Sequence, residues 1–290
     1  ELAALAPRSL PASPSHVTAG ELPSSHVTAL AAYQGKLIVG SFDGGAFSID
    51  GNGKIAPLNG APRFINALLA EPSQLWLAGP TGLFQLKNGE FREVPLGSGA
   101  SHVNGLTRAT DGTLWLATGD GLLGLRDGVW RKLDERQGLP SRIVYAVSEG
   151  SDGTLWAGTA AGVARIGKGG LETFRVDDGS LPHRWVTSLL ADADGVYVGT
   201  YQGGVTRLGR RGATPLSGSE TLWINPHGLL RIGTRLYAAS MGGGLVAFEP
   251  TRDGAISRLG GLPDSDVTAL EPFEKALWIG TSAGLARIPQ

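Results

Sequence analysis

Residues 111–121 read DGTLWLATGDG and residues 152–162 read DGTLWAGTAAG, the same five letters opening two segments 41 residues apart. Each segment is an Asp-Gly pair, a short run around Trp115 or Trp156, and a small-residue loop ending in Gly. Asp-Gly supplies the positive φ of a tight hairpin turn, and the run after it has the length and composition of a strand. Aligning on these two segments recovers LIVGS (37–41), LWLAG (75–79), VYVGT (196–200), LYAAS (236–240) and LWIGT (277–281). Their second letters are Ile38, Trp76, Trp115, Trp156, Tyr197, Tyr237 and Trp278, separated by 38, 39, 41, 41, 40 and 41 residues. Seven copies with a period near 40 residues predict an all-β, seven-bladed β-propeller with four antiparallel strands per blade.

Composition agrees. The 290 residues include 45 Gly, and no amphipathic stripe of helical period is sustained anywhere. With 25 Lys and Arg against 26 Asp and Glu, the chain lacks the basic excess that draws a protein to nucleic acid. No apolar run reaches the length of a membrane span. The absence of Cys removes disulfides, thiolate catalysis and cysteine metal sites. The sequence begins with Glu1 and not Met, as a processed product would, and export is the expectation drawn from it.

Within the fourth copy, RIVYAVSEG reads as the inner strand, TLWAGT as the second, VARIG as the third and LETFRV as the outer one, joined by SDG, AAG and KGG. The aromatic column is expected to fill the wedge between blades, because a single blade cannot bury its own faces. The seventh copy stops at Gln290 after its third strand. The spare segment SHVTAGE (15–21) is therefore expected to supply the missing outer strand, so that the N-terminus completes the C-terminal blade and no edge is left open. Residues 1–14, rich in Ala, Pro and Ser, read as a leader or linker to one propeller spanning 15–290.

GLPSRIVYAVSEGSDGTLWAGTAAGVARI, echoed in LPHRWVTSLLADADGVYVGTYQGGVTRL and GLPDSDVTALEPFEKALWIGTSAGLARI, resembles the two-component regulator propeller repeat. The resemblance implies an extracytoplasmic (periplasmic or secreted) sensor-type propeller. It differs from the receptor pattern, which commonly carries two rings, an immunoglobulin-like module, a membrane helix and a kinase.

Up-and-down topology places the loop before each inner strand on the same face as the loop between strands two and three. The first set carries Arg63, Phe64, His102, Arg142, His183, Arg184, Trp185, Trp223 and Asp266, and the second carries Asp43, Asp120, Tyr201, Gln202 and Met241. Aromatic faces stack on apolar sugar surfaces, and guanidinium groups bind carboxylate or sulfate bidentately. A rim of this kind points to an oligosaccharide or an anionic small molecule. The sixth copy breaks the pattern: SGSETLWINPHGLL puts Pro226 and His227 inside the expected inner strand, where Pro forfeits a ladder hydrogen bond. The ligand site is accordingly expected around Arg142, Tyr145, Arg184, Trp185, Tyr201, Trp223 and His227, with Arg63 and His102 on the same face. No catalytic set, metal site or cofactor motif is legible; the five His are scattered over different copies. Three readings stay open: a ligand-binding sensor, a protein-interaction scaffold, and a lyase or hydrolase using His102 with Asp120 or Asp266.

Overall fold

The computed structural model describes residues 14–17, 22–97, 102–249 and 256–290. These residues form seven four-stranded antiparallel sheets arranged as a β-propeller. Blade 4 is Val144–Glu149, Leu155–Thr159, Gly162–Gly167 and Gly170–Phe174, hydrogen-bonded in that order. The last blade contains Val267–Phe273, Ala276–Thr281 and Gly284–Pro289, and its outer strand is Ser15–Val17. Ser15 lies opposite Arg287 and Val17 opposite Leu285. The His16 ring also hydrogen-bonds the Gly261 carbonyl, and Arg287 Nε donates to Ser15 Oγ at 3.2 Å. The first and last parts of the chain thus close the ring. The expected leader, apart from Pro14, and residues 18–21 of the closing segment lie outside the described residues.

The turns divide into two kinds. At Asn88-Gly89 and Asp127-Gly128 both residues are left-handed, with φ of 53° and 81°, and 50° and 77°, as a two-residue hairpin requires. In the two DGTLW turns only the glycine has positive φ, and the Asp acts through its side chain instead. Asp111 Oδ1 accepts from Thr113 N at 2.8 Å, and Asp152 Oδ1 from Thr154 N at 3.0 Å. The whole Asp-Gly-Thr triplet is therefore specified, which explains why it recurs intact.

The aromatic column packs each blade on the next. Trp115 shares a core with Val144 and Leu155 of blade 4, and Trp156 with Val186 and Val198 of blade 5. Trp278 packs with Val27 and Leu37 of blade 1. Burying about 150–200 Å² of ring at ~25 cal/mol per Å² contributes about 4–5 kcal/mol per junction before entropy. Arginines cover several of these rings, Arg131 over Trp115 and Arg207 over Tyr197 each at 4.4 Å. The small residue two places after the aromatic is also dictated by the neighbour: a Cβ on Gly158 would lie 2.6 Å from Val186 Cγ1.

Two inner-strand carboxyls behave oppositely. Burial acts to raise the Glu71 pKa, but hydrogen bonds from Arg108, Gln74 and Trp76 outweigh it and bring the carboxyl down to about 2. The Arg108 Nε–Glu71 Oε1 contact is 2.6 Å. Burial also drives Glu271 up, to about 7, because one backbone donor, Ala32 N at 3.0 Å, offsets it only in part.

Candidate functional site: the channel mouth and its loop rim

One side chain of each blade faces the channel, the second residue of the inner strand except in blade 2, where Asn66 immediately precedes Ala67–Glu71. Reading from blade 1 to blade 7, these are Thr28, Asn66, Asn104, Tyr145, Thr187, Asn225 and Thr268. In six blades the side chain donates to the carbonyl that opens the next inner strand. Thr28 reaches Ile65 O (2.5 Å), Asn66 reaches Val103 O (2.9 Å) and Asn104 reaches Val144 O (2.8 Å). Thr187 reaches Ile224 O (2.6 Å), Asn225 reaches Val267 O (2.7 Å), and Thr268 closes the circle on Val27 O (2.7 Å). At about 1 kcal/mol net per bond, the belt adds a polar clasp to the apolar junctions. Tyr145 is the exception and makes no such bond.

Blade 6 departs most from the repeat. In five other blades the ladder skips one residue at the belt position, as at Val144/Ala146, and in blade 2 it begins only at Ala67, whereas here it skips from Ile224 to Leu229. The two extra residues are the Pro226-His227 insertion that breaks the sequence pattern. His227 sits in the left-handed region at φ 55° and crosses the channel to blade 3, its Nε2 donating to Asn104 O at 2.7 Å. Loss of hydration lowers its pKa, with the Asn104 bond opposing, so the ring is neutral at neutral pH. The opposite wall is adapted to it: a Cβ on Gly105 would come within 2.7 Å of His227 Cε1. Above this bridge lies a cavity of about 280 Å³ lined by Thr28, Asn66, His102, Asn104, Tyr145, Asn225, Pro226 and Thr268.

The two loop sets meet as the topology requires. The residue after the second strand donates its N–H to the residue before the inner strand in six blades, for example Tyr201 N to Trp185 O at 2.9 Å and Met241 N to Trp223 O at 2.8 Å. That pairing aligns an aromatic arc. Trp185 and Tyr201 have centroids 5.3 Å apart, Tyr201 and Trp223 5.2 Å, and His183 lies 6.2 Å from both Trp185 and Tyr201. Trp185 is 37% exposed and Trp223 39%. Such spacing is that of mutually packed rings, so the arc is preorganised and remains open to solvent.

The sequence-derived residues fall into three groups. Trp185, Tyr201 and Trp223 form the arc, while Tyr145 and His102 line the cavity beside the His227 bridge. Arg142 and Arg184 are exposed on blades 4 and 5 without an ion-pair partner among the described residues; the Arg142 N–H is held by Glu135 Oε1 at 2.8 Å. Arg63 belongs elsewhere, with its guanidinium 5.4 Å from the Phe64 ring in a separate cluster of Phe42, Phe64 and His26. The belt itself was missed, although its signal was present: a Thr or Asn follows the first Val or Ile in six of seven copies. Neither acid considered for a lyase bonds His102. Asp120 pairs with Lys132 at 2.7 Å, and Asp266 accepts from Asn225 Nδ2 at 2.7 Å. Among the described residues no group of three or more His, Asp or Glu side chains is placed to hold a metal ion, and no helix is long and apolar enough to cross a membrane.

These features define a seven-bladed propeller with one open, aromatic-rimmed face. Residues 138–161 match the family model described as two component regulator propeller, so the fourth copy is a repeat of that family, as its sequence resemblance implies. No curated protein matches the sequence. Among solved structures, the chain is similar to the extracellular domain of the putative hybrid two component system BT3049 from B. thetaiotaomicron. The TM-score is 0.80 at 17% identity, over 96% of this chain and 42% of that one. The extracellular domain of BT4673 from the same organism gives a TM-score of 0.80 at 20% identity, over 95% and 39%. The chain therefore spans about two fifths of the length of these sensor domains. A catalytically inactive virginiamycin B lyase from Staphylococcus aureus with quinupristin gives 0.76 at 14% identity, over 96% and 98%. At these identities the likeness establishes the fold.

Proposed function

We propose that this chain is a sensor-type, non-catalytic propeller that works outside the cytoplasm and binds an oligosaccharide or anionic small molecule on its loop face. The observation that carries the reading is the Trp185–Tyr201–Trp223 arc: Tyr201 packed between two tryptophans that are each more than a third exposed. Sugar rings stack on such surfaces, and the unpaired guanidinium groups of Arg142 and Arg184 supply bidentate donors for a carboxylate or sulfate. The sensor ectodomains that share the fold support a recognition role. A second reading, a scaffold for a partner protein, draws on the cluster of blades 1 and 2, where Phe42 is 56% exposed against His26 and Phe64. Screening diverse glycans and small anions against the wild type and an Arg184→Ala, Trp185→Ala double variant separates the two. A hit lost in the double variant supports recognition at the arc; a blank across the screen overturns it in favour of the scaffold.

A further inference from the structure

We infer that the channel mouth is a second binding site on this face, built to hold a protonated amine of a small molecule and to reject anions. The inference rests on the reading of the loop face as a binding face, and it separates the chemistry of the channel from that of the rim.

Donor accounting in the belt carries it. A backbone carbonyl can only accept, so the atom that Asn66, Asn104 and Asn225 turn toward the next blade is Nδ2, and their amide orientations follow from chemistry. Each Oδ1 is left over. None of the three has a protein partner among the described residues, and none is sealed from solvent. Thr28 and Thr268 likewise spend their single O–H on a carbonyl and leave oxygen lone pairs. Asn66 and Asn104 each keep one Nδ2–H, but acceptors outnumber donors in what the belt offers the cavity, three Oδ1 atoms and two threonine oxygens against two N–H groups.

The charge distribution has the same sense. No Lys or Arg lines the cavity. The neutral His227 ring already gives its Nε2–H to Asn104 O, so the bridge adds no positive charge. The Asp266 carboxylate stands at the edge, held by Asn225 Nδ2 at 2.7 Å. Tyr145 adds an aromatic ring, which attracts a cation over its face. An ammonium group carries three donors and no acceptor and suits this acceptor-rich lining, whereas a carboxylate would face an excess of oxygens and the Asp266 charge. A volume of about 280 Å³ exceeds by far the ~30 Å³ share of one water, leaving room for a molecule of monosaccharide size.

Calorimetric titration of the full chain with glucosamine, glucose and glucuronate tests this at about pH 6.5, where such an amine is protonated. These probes share a ring and differ in presenting an ammonium, a hydroxyl or a carboxylate. Glucosamine is expected to bind about tenfold or more tightly than the other two. Asp266→Asn keeps an oxygen for Asn225 and is expected to remove most of that preference. His102→Lys, which adds a cation at an exposed lining position, is expected to abolish amine binding. Trp185→Ala with Trp223→Ala is expected to leave the amine preference within about twofold of wild type. Equal or tighter binding of glucuronate overturns the inference, as does no measurable amine binding, an unaffected Asp266→Asn variant, or displacement of the amine by millimolar calcium chloride. A blank glycan screen with the amine preference intact sinks the rim reading alone, and the converse result sinks only this one.

Discussion

Adding one methyl group at Gly105 is expected to reveal how far the channel bridge is built into the fold. A Cβ there would lie 2.7 Å from His227 Cε1 and 3.3 Å from Tyr145 O, while Gly105 itself has no positive φ that would penalise alanine. The cost of Gly105→Ala is therefore steric. Forcing the imidazole away costs about 1–3 kcal/mol of overpacking, and losing its bond to Asn104 O costs about 1 kcal/mol more. The sum, about 2–4 kcal/mol, corresponds to a fall in Tm of roughly 3–7 °C for a chain of 290 residues. His227→Gly loses the same bond but relieves a non-glycine residue of left-handed backbone, worth about 1 kcal/mol, and is expected to be close to neutral. In the His227→Gly background the alanine keeps only the 3.3 Å approach to Tyr145 O, so its cost is expected to drop below about 1 kcal/mol, a coupling of about 2 kcal/mol in a double-mutant cycle. Urea denaturation of the four proteins, followed by tryptophan fluorescence, measures it. If Gly105→Ala costs the same with and without His227, the bridge does not span the channel as described.

The closing strand gives a second expectation: a chain beginning at Gly20 loses the pairing of Ser15–Val17 with the last blade, about 2–4 kcal/mol, and self-associates on size exclusion through the bared edge, whereas one beginning at Ser15 matches wild type. Glu271 has a folded pKa near 7, above its ordinary 4.5, so its contribution is complete below about pH 4.5 and is lost as pH rises toward 7. Glu271→Gln keeps an oxygen for Ala32 N; in denaturation at several pH values it should exceed wild type above pH 7, by at most about 3 kcal/mol, and match it in acid. Glu71 has the opposite sign: its pKa near 2 gives stability present above about pH 4.5 and lost as pH falls, so Glu71→Gln is expected to lower the neutral-pH Tm and to flatten the acid limb of the same profile.

The propeller was legible because its determinants are local and repeated. Asp111-Gly112-Thr113 and its copy build a turn from adjacent residues, and the Trp and Tyr column meets the same neighbour at every junction. The arc was legible for a related reason, since Trp185 and Trp223 occupy equivalent positions before their inner strands and Tyr201 lies in the other loop set of the same face, and topology alone brings the two sets together. Arg63 shares that topology yet turned out to sit on Phe64, because the position of a loop does not fix where a long side chain lies. The pairing of His227 with Gly105 was not legible as a pair. Only one half was read as a departure, NPHG in the sixth copy; Gly105 in the third passed unremarked, and nothing in either stretch says that the two face each other across a channel.

The antiparallel join between Ser15–Val17 and Gly284–Pro289 has a consequence for orientation. Gly284–Pro289 descends beside Ser15–Val17, and Gln290 N bonds the Lys275 carbonyl in the turn below the sheet, so the last strand leaves its blade on the underside of the torus. Tethering through Gln290 to a bead or sensor chip would present the arc and the channel mouth outward, ready to meet whatever diffuses past.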